Sequence, residues 1–436
     1  MATPPAPRPK KPGGGVADTL KKLALLAVTS LVTVGLGECG MHVLGIGQPQ
    51  FHEPDPTFGV APIAGAEGEF NREGHAHVRI TEHGYRGVDH PREKPAGTFR
   101  LVVLGDSYTE ARQVELEESF SARLEEQLAT CPVLDGRPLE VLNFGVAGYG
   151  TAQEYLTLRE RALAYSPDAV MLAFLTGNDV TDNHPSLRFG QYPYYELRDG
   201  ELVLNDDFRD SEWFRSRTAS GPMALVRRYS RIYQLLNNLR GVSEAREQRG
   251  ELGLNDAIYS PPASQDWNDA WAVTEALLAR MNRELRADGR PFFVVTLSNA
   301  LQVDPDPAVR EAYRTSIGAE DLFYPDHRVA EAGARDGYPV LNLAPPLREH
   351  AEREHVYLHG FDNTQMGTGH WNATGHRVAS ELMARWLCEQ LAEPEAEAEP
   401  DPQPQPSEEG VDEGGGGAAA EQDEEPEPEH DEDDGR

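Results

Sequence analysis

The chain has 436 residues and a formal net charge of −33, long enough for one large domain or two with an ample core. Residues 393–436 hold 19 acidic residues and one basic residue, so this tail accounts for −18 and the rest of the chain for −15. A body that acidic argues against a nucleic-acid partner, because phosphate contacts need clustered Lys and Arg. The three cysteines, Cys39, Cys131 and Cys388, are too few and too far apart for a disulfide framework or a CxxC metal site.

Residues 1–22 are rich in Pro, Gly and Lys. An almost uncharged stretch follows, Leu23–Ile46, interrupted only by Glu38. As a helix it would be about 36 Å long at 1.5 Å per residue, enough to cross a bilayer, with Glu38 near the far end, where an interface can hydrate it. Lysines precede the span, so the positive-inside rule keeps the N-terminus cytoplasmic and puts the body outside. A cleaved signal peptide is a rival reading, although the nearest small-x-small site, Ala64-Gly65-Ala66, is distant. A lipoprotein signal is another, with Glu38 in Leu36-Gly37-Glu38-Cys39 standing where a small residue belongs.

Residues 47–98 read as a turn-rich lead-in with short strands such as Ala76–Thr81. Its His75, His77, His83 and His90 read as solvated loop histidines, not metal ligands, since no Cys or HExxH helix accompanies them. From Phe99, strands and helices alternate. Strands are expected at Phe99–Leu104, Glu140–Phe144, Ala169–Phe174, Pro291–Leu297 and Pro339–Leu343. Helices are expected at Leu116–Ala129, Thr151–Ala164, Trp267–Ala287 and Ala373–Leu391. Such alternation predicts an α/β fold with a parallel sheet covered on both faces.

The third crossover, 183–265, is an insertion. It holds an expected hairpin, Tyr194–Leu197 with Glu201–Leu204 around Asp199-Gly200, and a helix carrying Leu225, Ile232, Leu235 and Leu236. Leaving from a strand's carboxyl end, it is well placed to act as a lid. The last 44 residues are Pro, Gly, Ala and acid with almost no hydrophobe, which predicts a disordered, solvated tail.

Three strands end in polar turns: Gly105-Asp106-Ser107, Asn143 to Gly150, and Thr176-Gly177-Asn178-Asp179. With a strand order 2-1-3-4-5, Ser107 would lie between a glycine turn and an asparagine, at the carboxyl edge where open α/β sheets bind ligands. That suits acyl transfer: a hydroxyl nucleophile beside the Gly148 N–H and the Asn178 amide, both aimed at a developing oxyanion. A serine needs a base, and His370 lies in the loop after the fifth strand, again on the carboxyl side. His376, already in the final helix, reads as a surface or capping residue. The same strand order puts the first and last helices on one face. Cys131 and Cys388 could then form a disulfide, or stand as two small buried thiols.

The blocks Leu104–Ser107, Asn143–Gly148, Gly177-Asn178-Asp179 and His370-Trp371-Asn372 with Gly375-His376, in this order, resemble the SGNH (GDSL) hydrolase superfamily over about Phe99–Leu391. The resemblance implies a flavodoxin-like three-layer α/β/α sandwich with Ser107 as nucleophile and His370 as general base. It implies an oxyanion hole formed by the N–H groups of Ser107 and Gly148 and the side chain of Asn178. The family's aspartate, two or three residues before the histidine, is missing, because Gly367 and Thr368 stand there. Asp362 is the expected substitute, with the Thr368 hydroxyl or a backbone carbonyl as neutral alternatives. No metal or other cofactor is expected. The function expected from resemblance and location is a membrane-anchored, extracytoplasmic serine esterase. Its substrate would be an acyl ester, foremost acetyl, on an envelope carbohydrate or lipid. An O-acyltransferase of a surface polysaccharide and a non-catalytic binding module of the same fold are the rivals.

Overall fold

The computed structural model describes residues 16–44, 49–188, 192–218, 222–236 and 255–392; the acidic tail from residue 393 lies outside them. Helix α1 (Val16–Val43) has no buried residue and is long and apolar enough to cross a membrane. The lead-in then forms two antiparallel hairpins, β1 (His52–Asp55) with β2 (Gly59–Pro62) and β3 (Glu67–Phe70) with β4 (Ala76–Arg79). Phe51, Phe70, Ala76, Val78 and Ile80 give this region a small core of its own. It is also wired to the main body, because the buried Arg86 guanidinium donates to the carbonyls of Glu110 (2.9 Å), Val114 (2.6 Å) and Ala111.

The body follows: β5 (Phe99–Gly105), α2 (Ser107–Glu110), α3 (Phe120–Leu128), β6 (Leu139–Asn143), α4 (Thr151–Glu160) and β7 (Ala169–Leu175). The insertion contributes the hairpin β8 (Tyr194–Arg198)–β9 (Glu201–Asn205), then α5 (Glu212–Thr218), α6 (Pro222–Tyr229) and α7 (231–236). The hairpin turns as its sequence predicts, with Asp199 and Gly200 both at left-handed φ (53° and 83°). The single expected helix around Leu225 and Ile232 is instead two, broken at Ser230. The chain continues with α8 (Gln265–Ala287), β10 (Phe292–Leu297), α9 (Pro307–Ile317), α10 (Tyr324–Asp336), β11 (Val340–Asn342), α11 (Ala344–Glu354) and α12 (Ala373–Ala392). Helices α9 to α11 are additional to the expected elements. Their signals are local: Asp306 caps α9 ahead of Pro307, and Gly318 and Gly337 close α9 and α10 at left-handed φ.

The five body strands form one sheet in the order β11-β10-β7-β5-β6, all parallel, the 2-1-3-4-5 order expected. Side chains alternate across it. Val102, Leu104, Val170 and Leu172 face α4 and α8 through Tyr155, Trp271 and Leu278. Leu101, Val103, Met171 and Val295 face α3, α11 and α12 through Phe120, Leu347 and Met383. The result is the expected three-layer sandwich. On the second face a disulfide joins Cys131, after α3, to Cys388 in α12. It closes a loop of about 257 residues, a crosslink that contributes roughly 2–4 kcal/mol by restricting the unfolded chain.

Candidate active site

Ser107 opens α2 directly after β5. Asp106 caps that helix, its carboxylate accepting the Tyr108 N–H at 2.9 Å. Gly145, on the next loop, lets this corner pack tightly, since a Cβ there would lie 2.5 Å from the Glu110 nitrogen. The Ser107 Oγ is 2.8 Å from Nε2 of His370, so the structure brings together two groups 263 residues apart.

The partner on the other side of the imidazole differs from expectation. Nδ1 of His370 lies 2.5 Å from Oε2 of Glu73, and the His370 backbone N–H donates to Oε1 of the same carboxylate at 2.7 Å. Asp362 is exposed to solvent, and the Thr368 hydroxyl donates to the Gln365 carbonyl at 2.8 Å. Neither sits on the imidazole. The neighbour of Asp362, Asn363, instead clamps the tip of the β3–β4 hairpin. The Asn363 amide donates to the carbonyls of Asn71 (3.1 Å) and Gly74 (2.9 Å), and its oxygen accepts the Gly74 N–H at 2.9 Å. The Asp362 segment thus holds the acid without supplying it. Burial pushes the Glu73 carboxyl up, but His370 and Gln113 outweigh it and leave it below the ordinary glutamate range. An ionised Glu73 fixes the proton on Nδ1 and leaves the Nε2 lone pair facing the serine hydroxyl. Gly369 makes the approach possible: its φ is +74°, and a Cβ would come 2.1 Å from Glu73 Oε1.

A buried network fixes the peptide just before His370. The Gly369 carbonyl accepts from the Tyr108 hydroxyl (3.0 Å) and lies 2.7 Å from Nδ1 of His359. Burial pushes His359 down to about 4, so it is neutral and Nδ1–H is the donor. Its Nε2 then accepts from the Ser298 hydroxyl at 3.1 Å, and that oxygen accepts the Trp371 indole N–H at 2.9 Å. His376 corrects another expectation: it is buried, and its Nδ1 accepts the N–H of Phe120, the first residue of α3.

The expected donors line the opposite side. Among the described residues, no protein acceptor takes the N–H of Ser107 or of Gly148. Gly148 has φ +83°, a left-handed conformation that turns its amide without a side-chain penalty. The loop is set by the Val146 N–H donating to the Gly105 carbonyl (3.1 Å) and by the Ala147 N–H donating to Glu110 at 2.8 Å. Arg188 donates to the Gly148 carbonyl at 2.6 Å. Burial raises Glu110, but Arg112 and His52 outweigh it and hold the carboxyl down at about 2, so it serves as a fixed anionic pin. The Asn178 amide nitrogen makes a long contact, 3.4 Å, to Asp182.

Close to these donors lie three buried carboxyls, Asp106, Glu154 and Asp179, and the half-buried Asp182. Burial raises all four; it takes Asp106 up to about 6, and with mutual repulsion it pushes Glu154 and Asp179 well above the ordinary range. Neither Glu154 oxygen has a hydrogen-bond partner among the described residues. An acid that keeps its proton longer when folded gives a stability that is full at low pH and declines as pH rises from the ordinary carboxylate range towards the raised value. Glu154→Gln is therefore expected to flatten the fall in melting temperature as pH rises above the ordinary carboxylate range, and to exceed the parent at the alkaline end. An unchanged slope would show that Glu154 is not the group responsible.

No protein-family model matches the chain, and no curated protein matches it in sequence. Solved structures similar to it include the acetyl xylan esterase AlAXEase, at 12% identity over 66% of this chain and 100% of that one, with a TM-score of 0.34. A catalytic mutant of Axe2, an acetylxylan esterase from Geobacillus stearothermophilus, matches at 12% identity over 67% and 94%, with a TM-score of 0.35. TesA matches at 14% identity over 67% and 99%, with a TM-score of 0.32. At such identities and scores no activity passes from them to this chain. The chain's own sheet order, with its four blocks on the strand ends and loops described, is the three-layer α/β/α arrangement expected from the sequence.

Proposed function

We propose that this chain is a serine ester hydrolase working through a Ser107–His370–Glu73 triad. The observation that carries the proposal is the continuous chain Glu73 Oε2–His370 Nδ1 and His370 Nε2–Ser107 Oγ, at 2.5 and 2.8 Å. In this reading His370 takes the proton from Ser107 as Oγ attacks an ester carbonyl. The oxyanion is received by the N–H groups of Ser107 and Gly148 and the amide of Asn178. His370 then protonates the departing alkoxide, and water, activated by the same imidazole, releases the acid from the acyl-enzyme. The non-catalytic alternative drew its support from a missing acid, and Glu73 removes that motive.

The substrate is an acyl ester, foremost acetyl, on an envelope carbohydrate or lipid. A cleft of about 560 Å³ supports a carbohydrate, being lined by Asp182, Arg188, Tyr192, Tyr194, Asp207 and Phe208. Aromatic faces there can cover the C–H faces of a sugar ring, and carboxylates can accept its hydroxyls. The body is held outside the cytoplasmic membrane by α1, with Lys21 and Lys22 on the cytoplasmic side.

Assaying the full chain against short- and long-chain aryl esters and acetylated glycans tests the chemistry. Release of acetate is the expected result; acyl transfer to glycan instead of water would favour the acyltransferase, and no turnover of any ester would overturn both. A reporter fused after Leu391 is expected to be active only if it requires export. Activity from a reporter that works only in the cytoplasm would overturn the topology.

A further inference from the structure

The apolar stretch at the N-terminus contains one acid, Glu38, fifteen residues after Leu23. At 1.5 Å per residue it stands about 22 Å along a crossing of about 30 Å of hydrocarbon, short of the far boundary, where a bare carboxylate is costly. In the structure it is not bare. Its oxygens accept the Ser230 hydroxyl (3.1 Å), the Ile232 N–H (3.3 Å) and the Arg231 N–H, the donors at the start of α7. One turn on, Nε2 of His42 lies 3.3 Å from the Tyr229 carbonyl. A Cβ on Gly37 would stand 3.7 Å from the end of the Ile232 side chain. The α6–α7 junction is therefore fastened to α1 in the outer part of that crossing.

The two helices that leave this junction have apolar side chains that are exposed among the described residues. Beyond residue 44, twelve large hydrophobic side chains are exposed among the described residues, and six of them lie within 222–236. Met223, Leu225, Val226, Leu235 and Leu236 are among these, while the other six are scattered singly over the body. Isolated exposed hydrophobes are ordinary on a soluble surface, whereas a concentration of them marks a contact. The local charge is also distinct. In a body carrying −15, residues 212–236 hold five arginines, Arg215, Arg217, Arg227, Arg228 and Arg231, against the single acid Glu212. Apolar side chains with arginines close by suit an interfacial helix on anionic lipid.

We propose that α6 and α7 lie in the outer interface of the bilayer that α1 crosses, with Glu38 joining insertion to anchor. This rests on the reading of α1 as a membrane anchor. The insertion departs at Asn183, just past Asn178, so seating it in the interface holds the mouth of the active site at a fixed height near the lipid surface. Esters carried on membrane-bound molecules are then within reach.

The test uses the full chain, with Cys39→Ala removing the one free thiol in the described residues, reconstituted into vesicles of phosphatidylcholine and phosphatidylglycerol. Single nitroxide labels are placed at Leu225→Cys, at Leu235→Cys, and at Val88→Cys, an exposed apolar position on the lead-in. Power saturation is expected to show labels 225 and 235 reached by oxygen in preference to a water-soluble nickel chelate, and label 88 the reverse. If 225 and 235 behave like 88 while the protein resists alkaline carbonate, the anchor stands and this proposal is overturned. Extraction by carbonate overturns the anchor and the proposal together. Spin–spin broadening that vanishes on dilution with unlabelled protein would show a second copy covering the patch, and would also overturn it.

Discussion

Ser107→Ala is expected to abolish both covalent labelling by an organophosphorus ester probe and turnover of every ester the parent hydrolyses. The loss should be on the order of 10⁶-fold in kcat, the scale seen when a serine hydrolase loses its nucleophile. The reason is geometric: Ser107 Oγ is the group that meets Nε2 of His370, and the first α-helical turn aims it out of the sheet between the loops bearing Gly148 and Asn178. The fold should survive, since Ser107 is not in the buried core and Asp106 still caps α2. Undiminished hydrolysis by a correctly folded Ser107→Ala protein would sink the nucleophile assignment.

The second large effect is expected at Glu73. Glu73→Gln keeps the volume but removes the charge, and it replaces one of the two acceptor oxygens with an NH₂ group, which only donates. His370 then loses the anion that fixes its tautomer and stabilises the imidazolium formed during attack. In the serine-protease template the corresponding change costs about 10⁴-fold in kcat, and a loss on that order with little change in KM is expected here. Asp362→Asn, at an exposed position, should be indistinguishable from the parent. Asn363→Ala should fall between them, because it loosens the hairpin tip without removing the acid. A fully active Glu73→Gln, or an inactive Asp362→Asn, would reverse the assignment of the acid to Glu73.

The contrast between Ser107 and Glu73 marks the boundary of what the sequence determines. Strands, crossover helices and the polar turns at strand ends are written locally, in runs such as Phe99–Leu104 with Gly-Asp-Ser behind them. Buried parallel strands must be apolar throughout, and their carboxyl ends must carry the chemistry. Hence the sheet order, Ser107, His370, Gly148 and Asn178 are all legible in the residues themselves. The face shared by α3 and α12, which makes the Cys131–Cys388 pair conceivable, follows from that same order. Helices α9 to α11 are harder to read, because their caps and prolines are ordinary turn residues until the packing selects them.

Glu73 carries no such local signal. It sits at the tip of a hairpin 297 residues before the imidazole it supports, in a run, Asn71-Arg72-Glu73-Gly74, with no spacing relation to His370. A hydrogen-bond partner for a side chain is chosen by proximity in space, and here proximity depends on Arg86 and Asn363 docking the lead-in onto the body. The same holds for Glu38, which by sequence is an acid hydrated at the end of an apolar helix and in the folded chain is an acceptor for α7. Periodicity and turn chemistry act through neighbours along the chain, so the sequence alone determined the sandwich and the serine–histidine pair. Long-range polar pairing depends on which surfaces meet, so only the tertiary structure decided which acid completes the site.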